Sequence, residues 1–244
     1  MTGVVGAGVA TLWRSPEAPR ALDEAALRDR PDVAAWLAAL DASGPGGRLG
    51  LHGRVDTQLL RGEPVVVLER REGWSRVAAP WQPSSEHPEG YPGWVRTAHL
   101  DLDGTAPDAP TATEPPGVPA LDVARRFLGL RYLWGGTSDA GVDCSGLVHR
   151  SWRALGTVLP RDAHDQATAV RPVPLAEVRP GDLYFFARPG AKVYHVGFVT
   201  RPVADDGTRW MLHAPETGDP YVEDAPLAPH RRDTLVSAGR VEVP

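Results

Sequence analysis

Cysteine is nearly missing from this chain: Cys144 is the single one among 244 residues. That excludes an intrachain disulfide framework and any zinc or iron–sulfur site built from several cysteines. Long hydrophobic runs are also missing, and no stretch approaches the ~18–20 apolar residues of a membrane-crossing helix. There is no excess of basic residues. The net charge is −5, whereas nucleic-acid binding needs a basic face, so neither nucleic acid nor membrane is expected as a partner. Residues 1–13 carry no basic residue ahead of their short apolar run, and Arg14-Ser15-Pro16 follows, which makes a poor secretory leader. The expected compartment is the cytoplasm, where a lone thiol stays reduced. The sequence also lacks HExxH, a close histidine pair and a Walker-type Gly-Lys. Gly3, Gly6 and Gly8 follow no strand, so they form no dinucleotide fingerprint. No metal and no cofactor is called for.

What is present is enough for a packed core, with 42% apolar and 23% charged residues. Residues 104–119, rich in Pro, Thr, Ala and Gly without apolar periodicity, read as a linker region. The chain then divides into a first domain at 1–108, a linker at 109–119 and a second domain at 120–244. The first domain reads as short strands around 65–68, 74–77 and 91–95, at the spacing of a small barrel. Val33, Trp36, Leu37 and Leu40 add one helical face, capped by Asp32 and ended by Gly44 to Gly47. The second domain starts helical, with a face of Leu121, Ala124, Arg125 and Leu128 stopped by Gly129. A second helix runs from Asp143-Cys144 to Leu155 with Leu147, Val148, Trp152 and Leu155 as its stripe. Strands follow at 183–186, 193–200, 210–214 and 221–223, separated by Gly, Pro and Asp clusters. Helices followed by antiparallel strands make an α+β domain.

Cys144 stands where a helical pattern begins. A helix N-terminus favours a thiolate and offers N–H groups to an oxyanion beside the sulfur. Against that, a lone cysteine is often a small buried residue. His195 and His213 lie in separate strand patterns. On neighbouring strands one imidazole serves as base and the other as its orienter; each taken alone also fits a satisfied core histidine. His52, His87, His99, His149, His164 and His230 read as surface, turn or helix-face residues without a catalytic role. Gly135-Gly136 after an aromatic run suggests close backbone packing rather than a phosphate cradle.

Six ordered segments sharpen this reading: Arg131–Gly136, Asp143–Gly146, Leu159–Asp162, Arg179–Phe186, Tyr194–Gly197 and Leu212–Pro215. Together they resemble the NlpC/P60 cysteine peptidases. The resemblance implies a papain-like fold, with Cys144 as nucleophile, His195 as base, His213 as the orienting third residue and the Tyr132 hydroxyl in the oxyanion hole. In the first half, Val9–Trp13, Asp56–Leu60, Trp74–Val77 and Gly90–Val95 resemble the bacterial SH3-like domain of the murein-recycling γ-D-glutamyl-L-diamino acid endopeptidases. In that family the barrel closes one end of the cleft, and only peptides with a free N-terminal L-alanine are accepted. The resemblance implies that Asp56, Tyr91 and Asp143 hold the alanine amine, while Ser145, Asp162 and Ala163 line the D-glutamate subsites. On the residues alone, Asp56 also fits a turn cap, Tyr91 barrel core and Asp143 a helix N-cap. Two departures stand out. Some relatives carry two SH3-like domains and this chain has room for one. Position 163 is often a small hydroxyl residue in this motif and is Ala here.

The implied function is hydrolysis of the γ-D-Glu–diamino acid amide in a murein tripeptide or tetrapeptide, with diaminopimelate or lysine as the diamino acid. Two alternatives remain from other classes. One is a cell-wall peptide binding module with a degenerate second half; the other is a papain-like acyltransferase.

Overall fold

The computed structural model describes residues 1–242, which form two compact units. The first comprises Met1–Ala109 together with Leu133–Val142; the second comprises Pro110–Tyr132 and the chain from Asp143 onward.

The first unit contains β1 (Thr2–Val5), β2 (Val9–Trp13), α1 (Glu24–Leu27), α2 (Val33–Ala42), α3 (Pro45–Leu49), β3 (Val55–Leu60), β4 (Pro64–Arg71), β5 (Trp74–Ala79), β6 (Tyr91–Arg96) and β7 (Leu100–Asp101). The strands form one antiparallel sheet in the order β3-β2-β6-β5-β4-β1-β7. Val5, Leu12, Leu59, Val65, Val77 and Val95 share one buried cluster. Because strands from both ends of the order feed that cluster, the sheet wraps on itself as a barrel, which hides the edges an open sheet would expose.

The helical insertion packs on this barrel. Trp36 and Leu40 are fully buried beside Trp13, Leu51 and Val55. Each large apolar side chain removed from water in this way contributes roughly 1.5–3 kcal/mol. Asp32 caps α2 by accepting from the Ala35 N–H at 2.9 Å. Buried Asp23 is satisfied by the Trp36 indole N–H at 2.8 Å and by Arg20. The sequence places Gly47 beyond the end of this helix. Instead Gly44 turns the chain with φ +67° and Pro45 starts α3, so Gly47 is helical.

Residues 133–142 pack with the barrel, although the linker reading assigns them to the second domain. Their hairpin of β8 (Thr137–Ser138) and β9 (Gly141–Val142) is held by Gln58, whose backbone carbonyl accepts from the Thr137 hydroxyl at 2.9 Å. The Gln58 side-chain oxygen accepts from the Ser138 hydroxyl at 3.0 Å. Gly136 packs against the Gly141 carbonyl, the close approach expected of the glycine pair.

The second unit contains α4 (Ala120–Arg125), α5 (Cys144–Arg153), α6 (Ala163–Ala169), β10 (Arg171–Val173), β11 (Leu183–Ala187), β12 (Val193–Val199), β13 (Trp210–His213), β14 (Glu223–Pro226), α7 (Pro229–Arg232) and β15 (Leu235–Arg240). Its sheet is antiparallel in the order β10-β15-β11-β12-β13-β14. Helices α5 and α6 lie against β12, and Tyr184, Phe186, Val199 and Met211 form a buried cluster.

Several boundaries differ from the sequence reading. Helix α4 ends at Arg125, and Leu128 is 48% exposed, so it belongs to no buried face. Tyr221 makes an isolated bridge with Arg131, and the strand begins only at Glu223. Helix α6 and strands β10 and β15 have no counterpart in the periodicity reading; β15 carries Gly239 in its interior and weak alternation. His99 and His149 are buried, not surface residues. The His99 ring bonds the Arg28 carbonyl at 2.7 Å and the His149 ring bonds the Leu159 carbonyl at 2.9 Å.

Candidate active site

Cys144 is the first residue of α5 and is 8% exposed. Asp143 is the N-cap, accepting from the Gly146 N–H at 2.7 Å, which supplies one of the partners a helix start lacks. The same carboxylate is gripped on both oxygens by Arg161, at 3.0 and 2.6 Å. Arg161 also donates to the Ser145 hydroxyl at 2.9 Å, and that hydroxyl donates to Asp143 at 3.3 Å. Gln166 of α6 ties the Ser145 carbonyl to the Pro160 carbonyl. The start of α5 is therefore fixed by a buried polar network. Such a network rigidifies a site when its members are satisfied.

The two histidines come from adjacent strands. Antiparallel pairing of Phe198 with Leu212 and Val199 with Met211 sets Gly197 opposite His213. A Cβ at 197 would stand 2.9 Å from the His213 Cβ and 2.5 Å from the Met211 sulfur, so this strand position requires glycine. His195 is the diagonal neighbour of His213 on the same face, within reach for long side chains. The imidazoles meet at right angles, with His195 Nε2 2.9 Å from His213 Nδ1. Nδ1 is left as the other nitrogen of the His195 ring. Beyond His213, its register partner Glu223 on β14 places Oε1 3.4 Å from His213 Nε2.

Electrostatics around the sulfur run against the helix-terminus expectation. Burial, and then the Asp143 charge, push the Cys144 thiol up to about 12, while the Val196 N–H, Arg161 and the Ser145 N–H pull the other way. The Val196 amide puts the sulfur beside the strand that carries His195. Burial holds His195 well below the ordinary imidazole range, helped by His213, Arg231 and His230. Burial lowers His213 as well, opposed by its bond to Glu223. These directions favour the neutral forms of the thiol and of both imidazoles. Tyr132 is buried and its phenol is pushed up, first by burial and then by Cys144 and Asp143.

The remaining sequence candidates are distributed as follows. Asp162 is the N-cap residue of α6 without a side-chain capping bond, and Ala163 is the buried first residue of that helix. Asp56 lies on β3 and pairs with the Arg14 guanidinium at 2.9 Å. Tyr91 lies on β6 within the barrel core cluster. The structure thus gathers Cys144, Tyr132, Asp143, Ser145, His195 and His213 in the second unit, while Asp56 and Tyr91 belong to the first. Arg161 and Glu223 carry no role in the sequence reading. Arg161 sits inside the Leu159–Asp162 segment, so its signal was available; Glu223 had none, because its pairing depends on where the loop after β13 returns. Among the described residues, Asp162, His164 and Asp165 bring ligand-type atoms within 4.8 Å of one another. His164 Nε2 lies 3.4 Å from Asp165.

Known proteins resemble this chain in both of its halves. The NlpC/P60 family pattern matches residues 129–239, and that of the bacterial dipeptidyl-peptidase SH3 domain matches residues 50–100. The γ-D-glutamyl-L-lysine dipeptidyl-peptidase of Bacillus subtilis (strain 168) is 31% identical, covering 89% of this chain and 91% of its own length. The protein of the same name from Bacillus cereus (strain ATCC 10987) is 26% identical, over 91% of this chain and 85% of its own. A crystal structure of an NlpC/P60 family protein from Bacillus cereus ATCC 10987 superposes with a TM-score of 0.84 at 23% identity, over 98% of this chain and 99% of that one, and shares the fold. With its sulfur at a helix start, two bonded imidazoles on neighbouring strands and a barrel of the matching type ahead of them, this chain belongs to the NlpC/P60 family.

Proposed function

We propose that the chain is a cysteine peptidase that cleaves the amide between γ-D-glutamate and a diamino acid in murein peptides. The observation that carries this is the set of Cys144 at the start of α5, His195 and His213, with the imidazole pair bonded at 2.9 Å and the Val196 N–H next to His195 bonded to the sulfur. The relatives named above as γ-D-glutamyl-L-lysine dipeptidyl-peptidases support the substrate class. In this reading His195 Nδ1 takes the thiol proton as Cys144 Sγ attacks the γ-carbonyl carbon. The oxyanion is held by the Tyr132 hydroxyl and by N–H groups at the start of α5. The tetrahedral species collapses, the C–N bond breaks, and the His195 proton leaves on the diamino acid's amine. Water then gives a proton to His195 and attacks the thioester, releasing the γ-carboxylate and restoring the thiol. Ser145, Asp162 and Ala163 line the D-glutamate side.

The finer reading is a substrate with a free N-terminal L-alanine, met during recycling of wall peptides in the cytoplasm. The dipeptidyl-peptidase names support the first part, and the single free thiol supports the second. Among the described residues no helix is long and apolar enough to cross a membrane.

The test is mass spectrometry of L-Ala-γ-D-Glu-L-Lys and of its diaminopimelate counterpart incubated with the protein in H₂¹⁸O. The expected products are L-Ala-γ-D-Glu carrying one ¹⁸O and the free diamino acid. Cys144→Ser and His195→Ala should each slow turnover by about 10³-fold or more. Full activity of Cys144→Ser, or intact peptides in all samples, overturns the reading. Transfer of the acyl group to an added amine without ¹⁸O uptake would identify an acyltransferase.

A further inference from the structure

We propose that Glu223 is a positioning residue of this site: its carboxylate selects the ring tautomer of His213 and, through it, leaves His195 Nδ1 free to accept the thiol proton. This rests on the cysteine-peptidase reading and extends the constellation by one member.

The argument follows the protons. The bond between His195 Nε2 and His213 Nδ1, at 2.9 Å, holds one hydrogen. If His213 donates it, neutral His195 carries its own hydrogen on Nδ1 and cannot act as a base there. If His195 donates it, Nδ1 keeps its lone pair, and His213 must then carry its hydrogen on Nε2. The two arrangements differ only in tautomer, so the group facing His213 Nε2 decides between them. That group is Glu223 Oε1, at 3.4 Å. An ionised carboxylate only accepts, so it favours Nε2–H on His213 and disfavours the bare nitrogen. The separation is longer than the ~2.7–3.2 Å of a well-formed bond, as in many resting sites where such contacts tighten once substrate is bound.

The position is set by the fold. Glu223 is the register partner of His213, on the edge strand β14 of the sheet. Its side chain is 48% exposed and that of His213 is 8% exposed, so the carboxylate reaches the buried ring from the solvent side. Other charged and titratable groups also bear on the pair. Arg231 and His230 on α7 oppose protonation of both rings, and Cys144 lies on the α5 side. Among the described residues Glu223 is the one acidic group acting on His213. It therefore also favours the imidazolium that forms when the thiol proton arrives.

The experiment measures kcat and KM against pH for wild type, Glu223→Gln and Glu223→Ala on the free tripeptide. Glu223→Ala should lower kcat about tenfold with KM little changed, since water replaces the carboxylate only in part. The acid limb of the profile should move to lower pH by about half a unit, a modest shift because the carboxylate is half-exposed. Glu223→Gln keeps an acceptor oxygen but no charge, so it should recover most of the rate and retain the shifted limb. A second readout needs no substrate: ¹⁵N spectra of the His213 ring in Cys144→Ala protein should show the Nε2–H tautomer, and a mixture after Glu223→Ala is added. If wild type cleaves nothing, the peptidase reading fails while the tautomer still tests Glu223. If wild type cleaves but Glu223→Ala matches it in rate and acid limb, or His213 keeps the same tautomer without the carboxylate, the proposal is overturned. It is overturned as well if both variants lose stability and rate together with no movement of the limb.

Discussion

Two arginine–carboxylate pairs stand at positions that the sequence associates with substrate recognition, and they are built differently. In the second unit, Arg161 is 1% exposed and Asp143 10% exposed, and the guanidinium meets both carboxylate oxygens. In the first unit, Asp56 is equally buried, at 10%, but its partner Arg14 is 58% exposed and meets one oxygen. The Arg161 pair is structural: Asp143 is at once a helix cap, an ion-pair partner and a hydrogen-bond acceptor, so the start of α5 cannot shift without stranding a charge. The Arg14 pair is an exposed arm laid over a carboxylate, which water or another cation can replace. The difference shows that a shared residue type says little about role until the exposure of its partner is known.

The largest expected effect comes from breaking the buried pair. Arg161→Ala should destabilise the second unit by about 3–5 kcal/mol, because the buried Asp143 carboxylate loses the guanidinium that meets both of its oxygens. Urea denaturation of wild type and variant followed by far-UV circular dichroism is the check. A loss under about 1 kcal/mol would place this pair in the same class as the exposed one.

Acid sharpens the comparison next. His149 is fully buried and is held down to about 3 chiefly by burial, with the charges of Arg153, Arg161 and Arg150 adding to it. Below about 6.5 the unfolded chain takes up a proton that the folded chain refuses until about 3. Stability is therefore full above pH ~6.5 and falls by about 1.4 kcal/mol per pH unit as pH drops through that window. Unfolding free energies from pH 7 to 5 for wild type and His149→Gln should differ by that slope. Equal slopes would mean that this ring is accessible.

The smallest effect belongs to the exposed pair. Arg14→Ala should change stability by less than about 1 kcal/mol, and the change should vanish in high salt. Denaturation at low and high ionic strength tests this, and a salt-independent loss above about 2 kcal/mol would break the contrast from its other side.

Much of the site was legible in the sequence for a physical reason. Asp143 before Cys144 is a capping signal, and Gly197 two residues after His195 is a demand for space in a strand; such local requirements appear as local residue types. Strands β4, β5 and β6 and helix α2 were legible because alternation, turn signals and helical spacing report one-sided burial, whereas β1 and β7 at the barrel's end were not read from the pattern. The interior of the second half was less so. Helix α6 is short and rich in alanine, and β15 reaches its place between β10 and β11 from the far end of the chain. Neither carries a strong periodic face. The burial of His99 and His149 was hidden because a histidine bonded to a backbone carbonyl through one ring nitrogen leaves no pattern in its neighbours.

The sequence by itself determined which chemistry is available: one thiol at a helix start, two strand histidines, a tyrosine upstream and a barrel ahead of them. Those properties depend on residue type and on spacing along one segment. Tertiary structure alone decided the protonation balance. Burial raises the thiol and lowers both imidazoles, reversing the effect expected from the helix terminus. It also decided the partners: Arg161 for Asp143, Arg14 for Asp56 and Glu223 for His213. Desolvation and cross-strand register join residues that are far apart in the chain, so no single stretch of sequence records them.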